Sequence, residues 1–302
     1  MPPKLALITV HGMGRTAPTY ADALFAQLRR RLGAAARDVH FGSVYYQNLL
    51  QKNEERVWNK VKHNVRWGDV REFLLYGFAD AAGLEDGKEA VTSVYAQAQA
   101  AIAKELWRAR QAVGNGPVVM LAHSLGCQVS SSYFWDAKGY ATGNNTTTTT
   151  SNPDAAHRPT VGMWQNPEHY QHAIAGNATL TADDWAYLAG SQLRAFYTTG
   201  CNIPIFVAAH AERDILPFTR HGCGWRNFYD KDDVMGWPLA ALSPQYAKVV
   251  DDVAVNAGGG VLSWLLKSWN PLSHEEYWGE RTVVGAVEQC LRQELVTGAA
   301  KP

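Results

Sequence analysis

The stretch that most constrains this chain runs Pro117-Val118-Val119-Met120-Leu121-Ala122-His123-Ser124-Leu125-Gly126-Cys127-Gln128-Val129. A short apolar run leads into a small–His–Ser–Leu–Gly turn, and helix-like spacing follows. A strand–turn–helix corner of this kind holds a serine hydroxyl up at the edge of a sheet. The turn is tight enough that the residues two before and two after the serine must be small. Here they are Ala122 and Gly126, a one-residue variant of G-x-S-x-G. Everything else in the chain is then measured against one need, which is whatever a nucleophilic Ser124 requires.

The flanking pattern predicts layers of helix and sheet. Leu5–Val10 is a short continuous apolar run, as expected of a strand buried on both faces, and it ends in the glycine turn His11-Gly12-Met13-Gly14-Arg15. Residues 20–32 carry Leu24, Phe25, Leu28 and Leu32 at helical spacing, and 39–46 reads as a second strand. Residues 51–113 are helical almost throughout, with breaks expected near Gly68, Gly83 and Gly87. That is too long for one crossover, so part of it is an insertion or cap, and 91–113 is the amphipathic piece suited to feed the serine strand. Further strands are expected at Leu193–Thr199, 225–229 and 249–255, and a closing amphipathic helix at 282–295. The polar, low-complexity run at roughly 140–160 reads as an exposed flexible loop. The expectation is a single α/β domain over 1–302: a mostly parallel central sheet flanked by helices, with a helical insertion at 51–113.

Composition narrows the partners. Lys+Arg and Asp+Glu both number 28, which argues against nucleic acid or an anionic membrane as the main partner. The first apolar run is too short for a signal-peptide core, and none approaches the ~18 residues of a membrane span. A cytoplasmic chain without stable membrane insertion is therefore expected, with Cys127, Cys201, Cys223 and Cys290 reduced. There is no H-E-x-x-H, no clustered Cys/His and no G-x-x-x-x-G-K-[ST], so neither a metal nor a cofactor is expected.

A serine hydroxyl is a poor nucleophile at neutral pH. It needs a histidine to take its proton, a carboxylate to orient that histidine, and N–H donors aimed at the oxygen that becomes negative. The patches His11-Gly12-Met13-Gly14, Ala122-His123-Ser124-Leu125-Gly126, Thr199-Gly200-Cys201-Asn202-Ile203-Pro204, Asp232-Asp233-Val234 and Ser273-His274-Glu275-Glu276-Tyr277-Trp278 follow one another along the chain. Together they resemble the α/β-hydrolase superfamily, specifically its lipase/esterase-like members.

The resemblance implies a Ser–acid–His order along the chain. Ser124 is then the nucleophile and His274, late and in a loop, the base; His210 and His221 are less well placed. For the acid it favours Asp232, with Asp233 and Asp214 as alternatives and Asp230 a neighbouring competitor. The oxyanion donors would be the N–H groups of Met13 and Leu125, with His11, Gly12 and His123 lining the substrate side. The implied reaction is hydrolysis of a small-molecule carboxylic ester through an acyl-enzyme. Apolar residues at Phe73, Leu74, Leu75 and 261–269 suggest an apolar or aromatic acyl or alcohol group. The competing readings are an acyltransferase or thioesterase on the same scaffold, or a binding protein that keeps the fold without the reaction.

Overall fold

The computed structural model describes residues 2–14, 16–64, 66, 68–141, 160–208, 224–257 and 276–299. Among the described residues six strands form one sheet: β1 (Leu5–Val10), β2 (Val39–Val44), β3 (Val118–His123), β4 (Leu193–Thr199), β5 (Gly224–Asp230) and β6 (Val250–Val255). Their order is β2-β1-β3-β4-β5-β6, and every neighbouring pair is parallel. The mostly parallel sheet expected from the sequence is thus parallel in all its described strands.

The continuous apolar runs are explained by burial on both faces. Ala6, Ile8 and Val10 of β1, with Val118, Met120 and Ala122 of β3, face one helical layer, while Leu5, Leu7, Val119 and Leu121 face the other. The second layer holds α1 (Asp22–Leu32), whose Leu24, Phe25, Leu28 and Leu32 are buried. The first layer holds α4 (Val94–Val113) and α5 (Leu125–Ala141). The closing helix α10 (Arg281–Ala299) joins α1, burying Val283, Val284, Val287 and Leu291.

Residues 51–113 divide into α2 (Gln51–Val61), α3 (Gly68–Glu85) and α4. Of these, α4 is the crossover into β3, its N-terminus capped by the Ser93 side chain accepting from Ala96 N–H. The other two helices are extra to that crossover. Two of the expected breaks hold: α3 begins at Gly68, and Gly87 takes φ 58° beyond its end. Gly83 does not break the helix. It lies inside α3 because a Cβ there would sit 2.8 Å from the Leu50 side chain, so glycine serves close packing. Of the expected loop at 140–160, Tyr140 and Ala141 belong to α5 and Thr160 is buried, and the residues between lie outside the described ones.

Between β3 and β6 lie the short helices α6 (Gln171–Ala175), α7 (Ala182–Leu188), α8 (Ile203–Val207) and α9 (Pro244–Val249), the first two preceding β4. Among the described residues, no helix is long and apolar enough to cross a membrane, and no group of His, Cys, Asp and Glu could hold a metal ion.

Strand order decides where a ligand fits. The chain leaves β1 through α1 towards β2 on one side, and leaves β3 through α5 towards β4 on the other. Neighbouring strands whose connections part in this way open a crevice beyond their carboxyl ends, where open α/β sheets bind ligands. Val10 is in register with Ala122, so the turns that follow β1 and β3 stand side by side there.

Candidate active site

Ser124 occupies this crevice. Its φ is 50°, the only positive value at a non-glycine residue among the described residues, and the side chain is almost fully buried. A left-handed backbone costs an L-residue roughly 1–2 kcal/mol, so the corner must be held by its surroundings. Ser124 N–H donates to the Thr199 carbonyl at 2.9 Å, which extends the β3–β4 ladder one residue past the strand. Cys127 N–H closes on the Ser124 carbonyl at 2.9 Å as α5 begins. Gly126 packs straight onto the end of β1: a Cβ there would lie 2.3 Å from the His11 carbonyl oxygen and 2.8 Å from that of Val10. Those backbone atoms cannot give way, which is why the second position after the serine is glycine.

The turn after β1 is equally close. A Cβ on Gly12 would lie 2.7 Å from the Ser124 Cβ and 3.1 Å from the His123 ring. His11 is buried with both ring nitrogens engaged. Nδ1–H donates to the Gly12 carbonyl at 2.7 Å, and Nε2 accepts from Tyr46 N–H at 3.2 Å. The ring stacks on Tyr46 at 4.1 Å between centroids, while the Tyr46 hydroxyl donates to the His11 carbonyl at 2.9 Å. Burial lowers the His11 pKa to about 4, against the opposing pull of the Gly12 carbonyl, so the ring is neutral at pH 7. His11 therefore braces the turn that carries Gly12 and Met13. Leu125 is the first residue of α5, where helix geometry leaves backbone N–H groups without intrahelical acceptors.

On the other side of the serine, β4 and β5 end in a connected polar set. His123 Nδ1 lies 3.1 Å from both the Thr199 carbonyl and Oγ1, and Trp278 Nε1–H donates to the same Oγ1 at 3.1 Å. The His123 ring lies beside Tyr277 and Trp278, with centroids 5.8 and 6.0 Å away. The Tyr277 hydroxyl donates to Asp233 Oδ2 at 2.8 Å and accepts from Asp230 N–H at 2.8 Å. Burial, reinforced by the Asp233 charge, raises the Tyr277 pKa far above the ordinary phenol range, so it stays a donor.

The three acidic neighbours after β5 are not equivalent. Asp233 is buried, with Oδ1 accepting from Met235 N–H at 2.9 Å. Asp230 is buried too, but its Oδ1 is engaged by Asp232 N–H at 2.9 Å. Asp232 has an exposed side chain. The loop that follows is tied down by Asp252 of β6, which accepts from Leu239 N–H and Ala240 N–H at 3.0 and 2.8 Å, and from Asn227 Nδ2 at 2.7 Å.

Of the residues singled out from the sequence, Ser124, Leu125, His11, Gly12, Met13 and His123 gather at the carboxyl ends of β1 and β3, with Asp233 two strands along. His274, Asp214, His210, His221, Cys223 and the apolar stretch 261–269 lie outside the described residues, as do the side chains of Phe73 and Leu74. Cys127, Cys201 and Cys290 are buried. Sequence reasoning missed Thr199, Tyr46, Asp80 and the role of Tyr277. Thr199 and Tyr277 each left a trace, Thr199 opening one of the patches already of interest and Tyr277 sitting three residues after His274 in another.

Comparison with protein-family models, with curated proteins and with solved structures finds no match for this chain.

Proposed function

We propose that the chain is a serine hydrolase of the α/β-hydrolase type acting on carboxylic esters. The observation that carries this reading is the left-handed Ser124, held at a strand–helix corner in the crevice where β1 and β3 part. A bland turn would place glycine at that φ. Keeping serine there accepts strain in return for a presented hydroxyl.

In this reading Ser124 Oγ attacks the ester carbonyl while His274 takes its proton. The N–H groups of Met13 and Leu125 receive the developing oxyanion, and His274 then protonates the departing alcohol. Water, deprotonated by the same histidine, releases the acid from Ser124. Asp233 is the acid we assign, in place of the exposed Asp232, because a carboxylate that orients a histidine works best buried and held. Tyr277 and Met235 N–H hold it. A carboxylate accepts up to about four hydrogen bonds, so those two contacts are compatible with a further N–H from a histidine. His274 is tethered three residues from Tyr277, a span of at most about 11 Å, which is short enough for the role. The half-buried rings of Tyr20 and Trp278, which pack on each other beside His11 and His123, favour an apolar or aromatic group in the substrate.

The test is turnover of a p-nitrophenyl ester together with labelling by a fluorophosphonate probe. Ser124→Ala should abolish labelling and lower turnover by at least about a thousandfold. Undiminished turnover in that variant overturns the reading, and labelling of the wild type without turnover points to acyl transfer instead of hydrolysis.

A further inference from the structure

The helices inserted between β2 and β3 touch the proposed oxyanion turn at two neighbouring points. Gly77 of α3 receives the Met13 side chain, whose sulfur lies 2.7 Å from where a Cβ on residue 77 would be. Three residues on, and so on the same face of the helix, Asp80 Oδ2 accepts from Gly14 N–H at 2.7 Å. Asp80 is fully buried. Gln47, in the turn that follows β2, donates its amide to Asp80 Oδ1 at 3.1 Å, and Glu54 of α2 is buried beside the pair. One carboxylate thus joins the turn after β1, the turn after β2 and helix α3.

A buried carboxylate is a costly way to pack these elements, and apolar side chains of similar volume would do so at less expense. What it supplies is direction. Met13 is held through two of the groups on its α-carbon: its side chain by Gly77, and the peptide that follows it by the Asp80–Gly14 bond. With both held, the peptide that precedes it, which bears the Met13 N–H, has little freedom left to turn. Gly14 itself has φ 90° and open space around its α-carbon, so packing does not restrain it at that point.

We propose that Asp80 is a positioning residue for the oxyanion turn, so that the inserted helices govern the rate of the chemical step. This rests on the hydrolase reading above.

The experiment uses the full chain and two readouts, hydrogen exchange of the Gly14 amide and steady-state turnover of a p-nitrophenyl ester. Asp80→Ala should speed Gly14 exchange at least about tenfold and lower kcat by about 10–100-fold, with KM within about threefold of wild type. Asp80→Asn keeps an oxygen for Gly14, and Gln47 can turn its amide to match, because its own Oε1 is buried without a partner among the described residues. That variant should recover Gly14 protection and most of kcat. A role in stability alone would move the melting temperature without separating kcat from KM. Unchanged kcat in a folded Asp80→Ala, or an Asp80→Asn as slow as the alanine variant, overturns the proposal. Should Asp80→Ala not fold, Gly77→Val displaces Met13 without altering charge and must itself lower kcat at near-constant KM; unchanged kcat there overturns the proposal equally. Absence of Ser124-dependent turnover in the wild type overturns the hydrolase reading and the kinetic claim together. Gly14 exchange then decides separately whether Asp80 holds the turn, and equal rates in wild type and Asp80→Ala would show that it does not.

Discussion

At the scale of single residues, the corner at Ser124 sets activity against stability. Glycine adopts φ near 50° without the steric cost that serine bears. Ser124→Gly is therefore expected to abolish ester turnover while raising the melting temperature by about 2 °C, as roughly 1 kcal/mol of strain is relieved in a chain of this size. Calorimetry beside Ser124→Ala isolates the backbone contribution, because alanine loses the hydroxyl and keeps the strain. The acid is decided in the same way. Asp233→Asn keeps the shape but presents an amide to the histidine, and should lower kcat by about 10⁴-fold. Asp232→Asn, at an exposed side chain, should leave kcat within about twofold. Equal losses in the two variants would remove Asp233 from the role. The sequence favoured Asp232 with Asp233 as an alternative, since both follow β5 in one acidic run. Burial separates them, and burial is a property of the folded loop.

At the scale of elements, the loop after β5 depends on a residue from the next strand. Asp252 of β6 holds Leu239 N–H, Ala240 N–H and the Asn227 amide, and Asn227 in turn holds the Trp237 carbonyl and the Thr198 hydroxyl. Asp252→Ala leaves those donors without their acceptor and should cost about 2–4 kcal/mol in urea unfolding. It should also lower kcat/KM, because the loop carrying Asp233 loosens; full activity at reduced stability would separate the loop from the site. The strands themselves were legible from apolar runs, with Leu5–Val10 and Leu193–Thr199 matching residue for residue. The helical insertion was legible only as helix. Nothing in its periodicity distinguishes Gly83, a packing glycine, from a breaker, because the Leu50 side chain it accommodates is more than thirty residues away in sequence.

For the whole molecule, two buried groups bound the pH range of stability from opposite sides. His11, with its pKa lowered to about 4, stays neutral in the fold while the unfolded chain takes up a proton below about 6.5. The unfolded state then binds more protons, so His11 makes stability fall as pH drops from about 6.5 to 4. Glu54 acts in the other direction. Burial first, then the nearby Asp80 and Glu55, push its pKa up to about 9, so the fold keeps a proton that the unfolded chain has lost. Its contribution to stability is complete below the ordinary carboxyl pKa of 4.5 and is lost as pH rises towards 9. Glu54→Gln should accordingly raise the melting temperature by a few degrees at pH 8 and by nothing at pH 4; a gain that is the same at both pH values would show that Glu54 is not the titrating group.

What the sequence determined by itself was local. Runs of apolar residues fix strands buried on two faces, 3.6-residue spacing fixes the helices that cover them, and small residues on either side of Ser124 fix a corner that only a tight strand–helix turn accommodates. These signals lie within a few residues of one another, where covalent geometry and side-chain alternation act. Tertiary structure decided what depends on contacts between distant segments. The strand order brings the turn after β1 beside Ser124, burial separates Asp233 from the adjacent exposed Asp232, Thr199 ties His123 to Trp278, and Asp80 reaches Gly14 across 66 residues of chain. Each is a meeting of polar groups whose partners carry no periodicity, so the chain had to fold before any of them could be seen.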